Sequence, residues 1–263
     1  MNEQPAYPPD GVWHFNNWPE TYQDVLKRLC QRVEKLFELP ACRLCRYFAS
    51  AGDGWDGYFV RESGRYYRGM HIPLSSSGCL PPGLAEYFYA RRRGPMTGNE
   101  PPRTLAEAKF DALIYIRHST CDDKTGSAIT YAHELQHVVQ HARFPQLGKV
   151  NQVLRKSHKL QEIDIPSEQD ANIISKRIAE LICGAANVRE FAEKQISAME
   201  QAYKTGEAGA SAHRVRWEFF RDISSCDIST ETLLLAPRFK KELHEAGIDI
   251  DRPGWFEDRL ISA

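Results

Sequence analysis

Between Ala128 and Gln140 the chain carries no charged or imidazole side chain except His133, Glu134 and His137. A helix with such flanks has little polar surface to offer water, so it belongs inside a domain, and its polar groups need a reason to be there. On an α-helix, residues i and i+4 share a face about 6 Å apart, so the imidazoles of His133 and His137 can converge on one Zn2+ at about 2 Å each. Glu134 follows the first histidine and sits at the edge of the same face, where a carboxylate can act as general base toward a water on the metal. An almost continuously apolar run, Ala112 to Arg117, precedes this helix by a short loop and reads as a buried or half-buried strand.

A catalytic zinc takes three protein ligands and leaves a position open. The third ligand of the metzincin type would fall at residue 143, which is Arg143, and that subclass is excluded. His141 continues the i+4 series but has rotated about 80° from His133 along the helix. Glu168, in Pro166-Ser167-Glu168-Gln169-Asp170-Ala171-Asn172, is the better placed donor, on a helix that a Ser-x-x-Asp capping pattern would open. Asp170, Glu162 and Asp164 stand in reserve, and Glu168 could also serve only to complement the dipole at its helix N-terminus.

Thr130 to Val139 resembles the extended motif of the zincin metallopeptidases at every position. Glu168-x-x-Ala171-Asn172, 31 residues after His137, is similar to the gluzincin pattern of the ImmA/IrrE-like metallopeptidases. The resemblance implies Glu168 as third zinc ligand and Asn172 as a neighbour that orients a ligating histidine. It also implies a sheet whose edge strand binds substrate backbone, a task for which Ala112 to Arg117 is well placed. The chain departs from the ImmA/IrrE-like pattern at Gln136, where glycine is common, and at Ile174-Ser175 in place of Phe-Ala.

Elsewhere the pattern runs from strands to helices. Residues 1–19 hold four prolines together with Trp13, Phe15 and Trp18, and Glu20 to Phe37 is an amphipathic helix with Val25, Leu26, Leu29, Val33 and Leu36 as its apolar stripe. Gly57–Arg61 and Tyr66–Pro73 read as short strands. Helices are expected at about 127–143, 149–161, 168–184, 188–204, 211–222 and 230–246. The fold class is α+β, zincin-like, with a small mixed sheet, an active-site helix and a mostly helical C-terminal half. One metallopeptidase-like domain over 1–263 is expected, with a helical N-terminal extension at 1–60, a catalytic core at about 65–205 and C-terminal helices at about 206–263.

Charge argues against nucleic acid: 34 basic against 35 acidic residues leave a net charge of -1, with Arg91, Arg92 and Arg93 as the densest basic patch. No apolar run reaches membrane-spanning length, and the start lacks the basic and apolar regions of a signal peptide. Seven cysteines suit reduced thiols, and Cys42-x-x-Cys45 lacks the second pair a structural zinc site requires. A cytoplasmic location follows as the expectation, with secretion as an effector left open. His118, His213, Arg68 and His71 carry no spacing that assigns them a role. The expected function is a zinc-dependent hydrolase, a metallopeptidase cleaving protein or peptide substrates. The alternatives are a zinc-containing regulatory or interaction protein without activity and a host-directed effector peptidase with a single target.

Overall fold

A computed structural model describes residues 11–50, 67–73, 110–144, 147–158, 160–223, 240–241 and 244–245. Contacts divide the chain into two compact units, Met1–Glu134 and Leu135–Ala263. The first contains β1 (Val12–Phe15), α1 (Glu20–Glu34), β2 (Leu44–Phe48), β3 (Gly69–Pro73), β4 (Ala112–Ile116), α2 (His118–Cys121) and the first half of α3 (Lys124–Arg143). The second contains the remainder of α3, then α4 (Leu147–His158), a 3-10 turn at Glu162–Asp164, α5 (Pro166–Cys183), α6 (Ala185–Lys204) and α7 (Ala210–Asp222). This is an α+β arrangement of zincin-like type, with a small mixed sheet and a mostly helical C-terminal half.

The sheet has the order β1-β2-β4-β3, with β1, β2 and β4 parallel and β3 antiparallel to β4. Every residue of β4 is buried. Its apolar run therefore places it inside the sheet, and the edge position expected for Ala112–Arg117 is corrected. A strand apolar on both faces is stable only where both are covered, whereas an edge strand needs one covered face. Among the described residues β3 is the edge next to β4, and Pro73, which has no N–H to donate, suits that position. The stretch 1–60 is also not a purely helical extension, since β1 and β2 pair within the sheet.

Strand alternation sorts the two faces. Val12, Cys45, Tyr47, Leu113, Tyr115 and Ile72 build the core on one side. On the other, Trp13, Arg46, Ile114 and His71 lie in one register row. Arg46 Nε donates to Glu34 Oε1 at 2.6 Å and to the Tyr131 hydroxyl at 2.9 Å, and its guanidinium lies 4.5 Å over the Trp13 ring. The Tyr131 hydroxyl in turn donates to Glu34. Sheet, α1 and α3 are thus joined by a buried, fully engaged polar contact. Burial works against the Arg46 charge, yet Tyr131 and Glu34 outweigh it and hold its pKa above the ordinary value.

Helix α1 buries Leu26, Leu29, Cys30 and Val33, whereas Val25 and Leu36 of the expected stripe are exposed, Leu36 lying beyond the helix end at Glu34. In the second unit, Phe191 of α6 packs edge-on against Trp217 of α7 at 5.6 Å, and Gly209 in the left-handed region opens α7. Pro166 starts α5 and Ile165 before it is extended, so this start is set by proline and not by a Ser167 cap. The expected strand Gly57–Arg61, the arginines at 91–93 and most of the expected helix 230–246 lie outside the described residues. No helix among the described residues is long and apolar enough to cross a membrane.

Candidate metal centre

Helix α3 is buried nearly all round, through Ala128, Ile129, Tyr131, Ala132, Leu135, Val138 and Val139, as its uncharged flanks require. His133 and His137 stand one turn apart on it. His133 is 4% exposed, Glu134 6% and Glu168 8%. One donor atom each of His133, His137 and Glu168 lie within 4.8 Å of one another, and His137 Nε2 is 3.6 Å from Glu168 Oε1. Donors at about 2 Å from a tetrahedral ion stand about 3.3 Å apart, so these side chains need only small rotations to close on one. Two imidazoles and a carboxylate are a donor set for zinc with a position to spare. No other such group of three occurs among the described residues. The exposed guanidinium of Arg155 lies 4.0 Å from Glu168 Oε1.

Glu134 lies against the edge strand. A Cβ on Gly69 would stand 2.8 Å from Thr130 Cγ2, 3.0 Å from the Tyr115 carbonyl oxygen and 3.1 Å from Glu134 Cγ. Only glycine lets the β3 backbone approach the helix this closely. Next to it Arg68 Nε donates to Thr130 Oγ1 at 3.3 Å, and the Arg68 carbonyl accepts from Thr120 Oγ1 at 2.9 Å. Burial lowers the Arg68 pKa to about 10 despite the opposing charge of Asp123.

A polar network lies behind His137. Its Nδ1 is 2.8 Å from Gln140 Oε1. Gln140 Nε2 donates to the Ser167 carbonyl at 2.9 Å and to Asp170 Oδ2 at 2.7 Å, and Gln136 Nε2 donates to the same Asp170 oxygen at 2.7 Å. Ser167 Oγ pairs with the Asn151 amide of α4. Ser167 and Asp170, expected to cap α5, therefore tie it to its neighbours instead. The departure at Gln136 also has a reason, because its amide reaches the Asp170 carboxylate.

Asn172 is buried, and its carbonyl accepts from Ser175 Oγ, while His137 Nδ1 lies 2.8 Å from the Gln140 amide oxygen. Sequence reasoning missed Gln140, although its i+3 spacing from His137 was a usable signal. His141 is not among the converging donors, and burial, aided by His137, depresses its pKa to about 4. Glu162 pairs with Arg216 at 4.0 Å, and Asp164 closes the turn before α5. His118 stacks on Trp18 at 4.9 Å. Cys42 and Cys45 are free thiols, both pushed up chiefly by burial. No protein-family model, curated protein or solved structure matches the chain.

Proposed function

We propose that the chain is a zinc-dependent hydrolase, a metallopeptidase that acts on protein or peptide substrates. The observation that carries this reading is the convergence of His133, His137 and Glu168, with Glu134 one residue after the first of them. When bound, the ion supplies Lewis acidity, which lowers the pKa of water and polarises a carbonyl. His133, His137 and Glu168 would hold it. Glu134 acts as general base, taking a proton on its carboxylate and passing it to the leaving amine. An extended substrate adds to the edge strand β3, whose close approach to α3 at Gly69 sets that strand beside Glu134.

The pattern from His133 to Asn172 supports a gluzincin assignment, with the ImmA/IrrE-like metallopeptidases as the nearest resemblance. Free thiols at Cys30, Cys42, Cys45, Cys121 and Cys183 favour a cytoplasmic setting. The test is zinc stoichiometry by elemental analysis on wild type, Glu134→Gln, His137→Ala and Glu168→Ala, with hydrolysis of a mixed peptide library on the same samples. One zinc per chain, retained by Glu134→Gln and weakened in the other two, with cleavage lost in all three, is the expected result. A wild type that takes up no zinc after metal-replete purification would sink the proposal.

A further inference from the structure

The network behind His137 does more than fasten α5 to α3. We infer that Asp170 and Gln140 form a relay that sets the tautomer of His137, so that both are positioning residues for the metal centre; this rests on the zinc reading above.

The oxygen and nitrogen of the Gln140 amide are told apart by their partners. Two of those partners, the Ser167 carbonyl and Asp170 Oδ2, lack a hydrogen to offer, at 2.9 and 2.7 Å from the same amide atom. That atom must be the nitrogen, and its two hydrogens are both taken. A flipped amide would set its oxygen against a carbonyl and a carboxylate inside a site where Gln140 is 2% exposed and Asp170 1%. Such an arrangement leaves buried acceptors facing one another and is strongly unfavourable.

With the nitrogen assigned, Gln140 Oε1 is the atom 2.8 Å from His137 Nδ1. An amide oxygen only accepts, so Nδ1 carries the hydrogen. A neutral imidazole then keeps its lone pair on Nε2, which is the nitrogen 3.6 Å from Glu168 Oε1. In the neutral ring the Nδ1 hydrogen bond thus reserves Nε2, the nitrogen on the Glu168 side, as the lone-pair donor, by contacts that exist without any ion.

Asp170 contributes charge as well as geometry. Its carboxylate pulls on the Gln140 N–H, which makes the far oxygen of the same amide a stronger acceptor and His137 a stronger donor to metal. Gln136, one turn before Gln140 on α3, gives the same oxygen a second donor at 2.7 Å and holds the carboxylate in place.

The primary test needs neither zinc nor substrate. In zinc-free full-length protein labelled with 15N-histidine, long-range proton–nitrogen correlation reports which ring nitrogen is protonated. The His137 signals are assigned by their loss in His137→Ala. Across the pH range in which the His137 ring is neutral, wild type should show Nδ1 protonated and Nε2 bare. Finding the Nε2–H tautomer overturns the inference, whatever the fate of the hydrolase reading. Conversely, a protein that shows the Nδ1–H tautomer and cleaves nothing leaves the relay intact and refutes only the activity.

Zinc competition against a chelating dye supplies the second readout. Gln140→Met, which fills the space without an acceptor, should mix the tautomers and weaken zinc about 10–100-fold. Asp170→Asn should weaken it less, because an amide can still accept from Gln140. Gln140→Glu is the discriminating variant: a carboxylate is ordinarily a better partner for a ligating histidine, but here its second oxygen meets Asp170 and the Ser167 carbonyl, so zinc binding should weaken. Unchanged or tighter binding in Gln140→Glu, or binding within about twofold of wild type in folded Gln140→Met, overturns the relay. If Gln140→Met does not fold, the wild-type tautomer and Gln140→Glu decide.

Discussion

Replacing Gly69 with alanine adds one methyl group at the closest approach of β3 to α3. Its three nearest atoms would be at 2.8, 3.0 and 3.1 Å, where 3.4–4 Å is ordinary contact. Relief of about 0.3–0.6 Å is therefore needed on every side. The Tyr115 carbonyl cannot provide it, because it belongs to the interior strand β4, which is buried throughout and paired on both edges. Either β3 draws back from its ladder or the Thr130 and Glu134 side chains leave their positions. Overpacking of this kind costs about 1–3 kcal/mol, and a shift of the base by a fraction of an ångström lowers kcat/KM on the order of 10–100-fold. Urea unfolding reads the first quantity and peptide-library hydrolysis the second, while zinc stoichiometry should stay at the wild-type value. Full stability together with full turnover in Gly69→Ala would refute the placement of β3 against Glu134.

Glu34→Leu removes the carboxylate partner of Arg46, whose side chain is 5% exposed, and should destabilise by about 3–5 kcal/mol in urea unfolding. A loss below about 1 kcal/mol would show that this pair does not join α1 to the sheet. His213 on α7 has its pKa lowered to about 4, first by burial and then by Arg216. The folded state therefore resists protonation, and stability should be lost as pH falls from about 6.5, the unfolded value, toward 4. Urea midpoints measured between pH 7 and pH 4.5 should fall more steeply in wild type than in His213→Gln, and equal slopes would count against the assignment. Removing zinc with a chelator should lower the melting temperature, since an ion present at about 100 times its Kd contributes about 2.7 kcal/mol. Glu168→Ala should be insensitive to the same treatment.

Much of the fold was legible along the chain because it is a local matter. Helices α3 to α7 fall close to their expected spans, since the period of apolar residues together with Pro166, Gly184 and Gly209 marks where each can run. The pairing of His133 with His137 was equally readable, because helical geometry alone brings residues four apart to one face. The uncharged flanks of α3 announced its burial for the same reason: a helix apolar all round has no stable place at a surface.

Contacts between segments far apart in sequence were not readable in this way. An apolar run such as Ala112–Ile116 reveals that a strand is covered, but not which strands cover it, and its place inside the sheet emerged only with β2 and β3 paired on either side. Ser167 and Asp170 had the spacing of a helix cap, yet burial against α3 and α4 gave them partners that outcompete a local turn. Gly69 looked like any glycine in a short strand until the helix came against it. Sequence by itself determined the helices and the half-site they carry, because i to i+4 geometry is built into the chain. Tertiary structure alone decided that Glu168 comes within reach of that half-site and that Gln140 and Asp170 stand behind it, because donors separated by some 30 residues meet only when two helices pack.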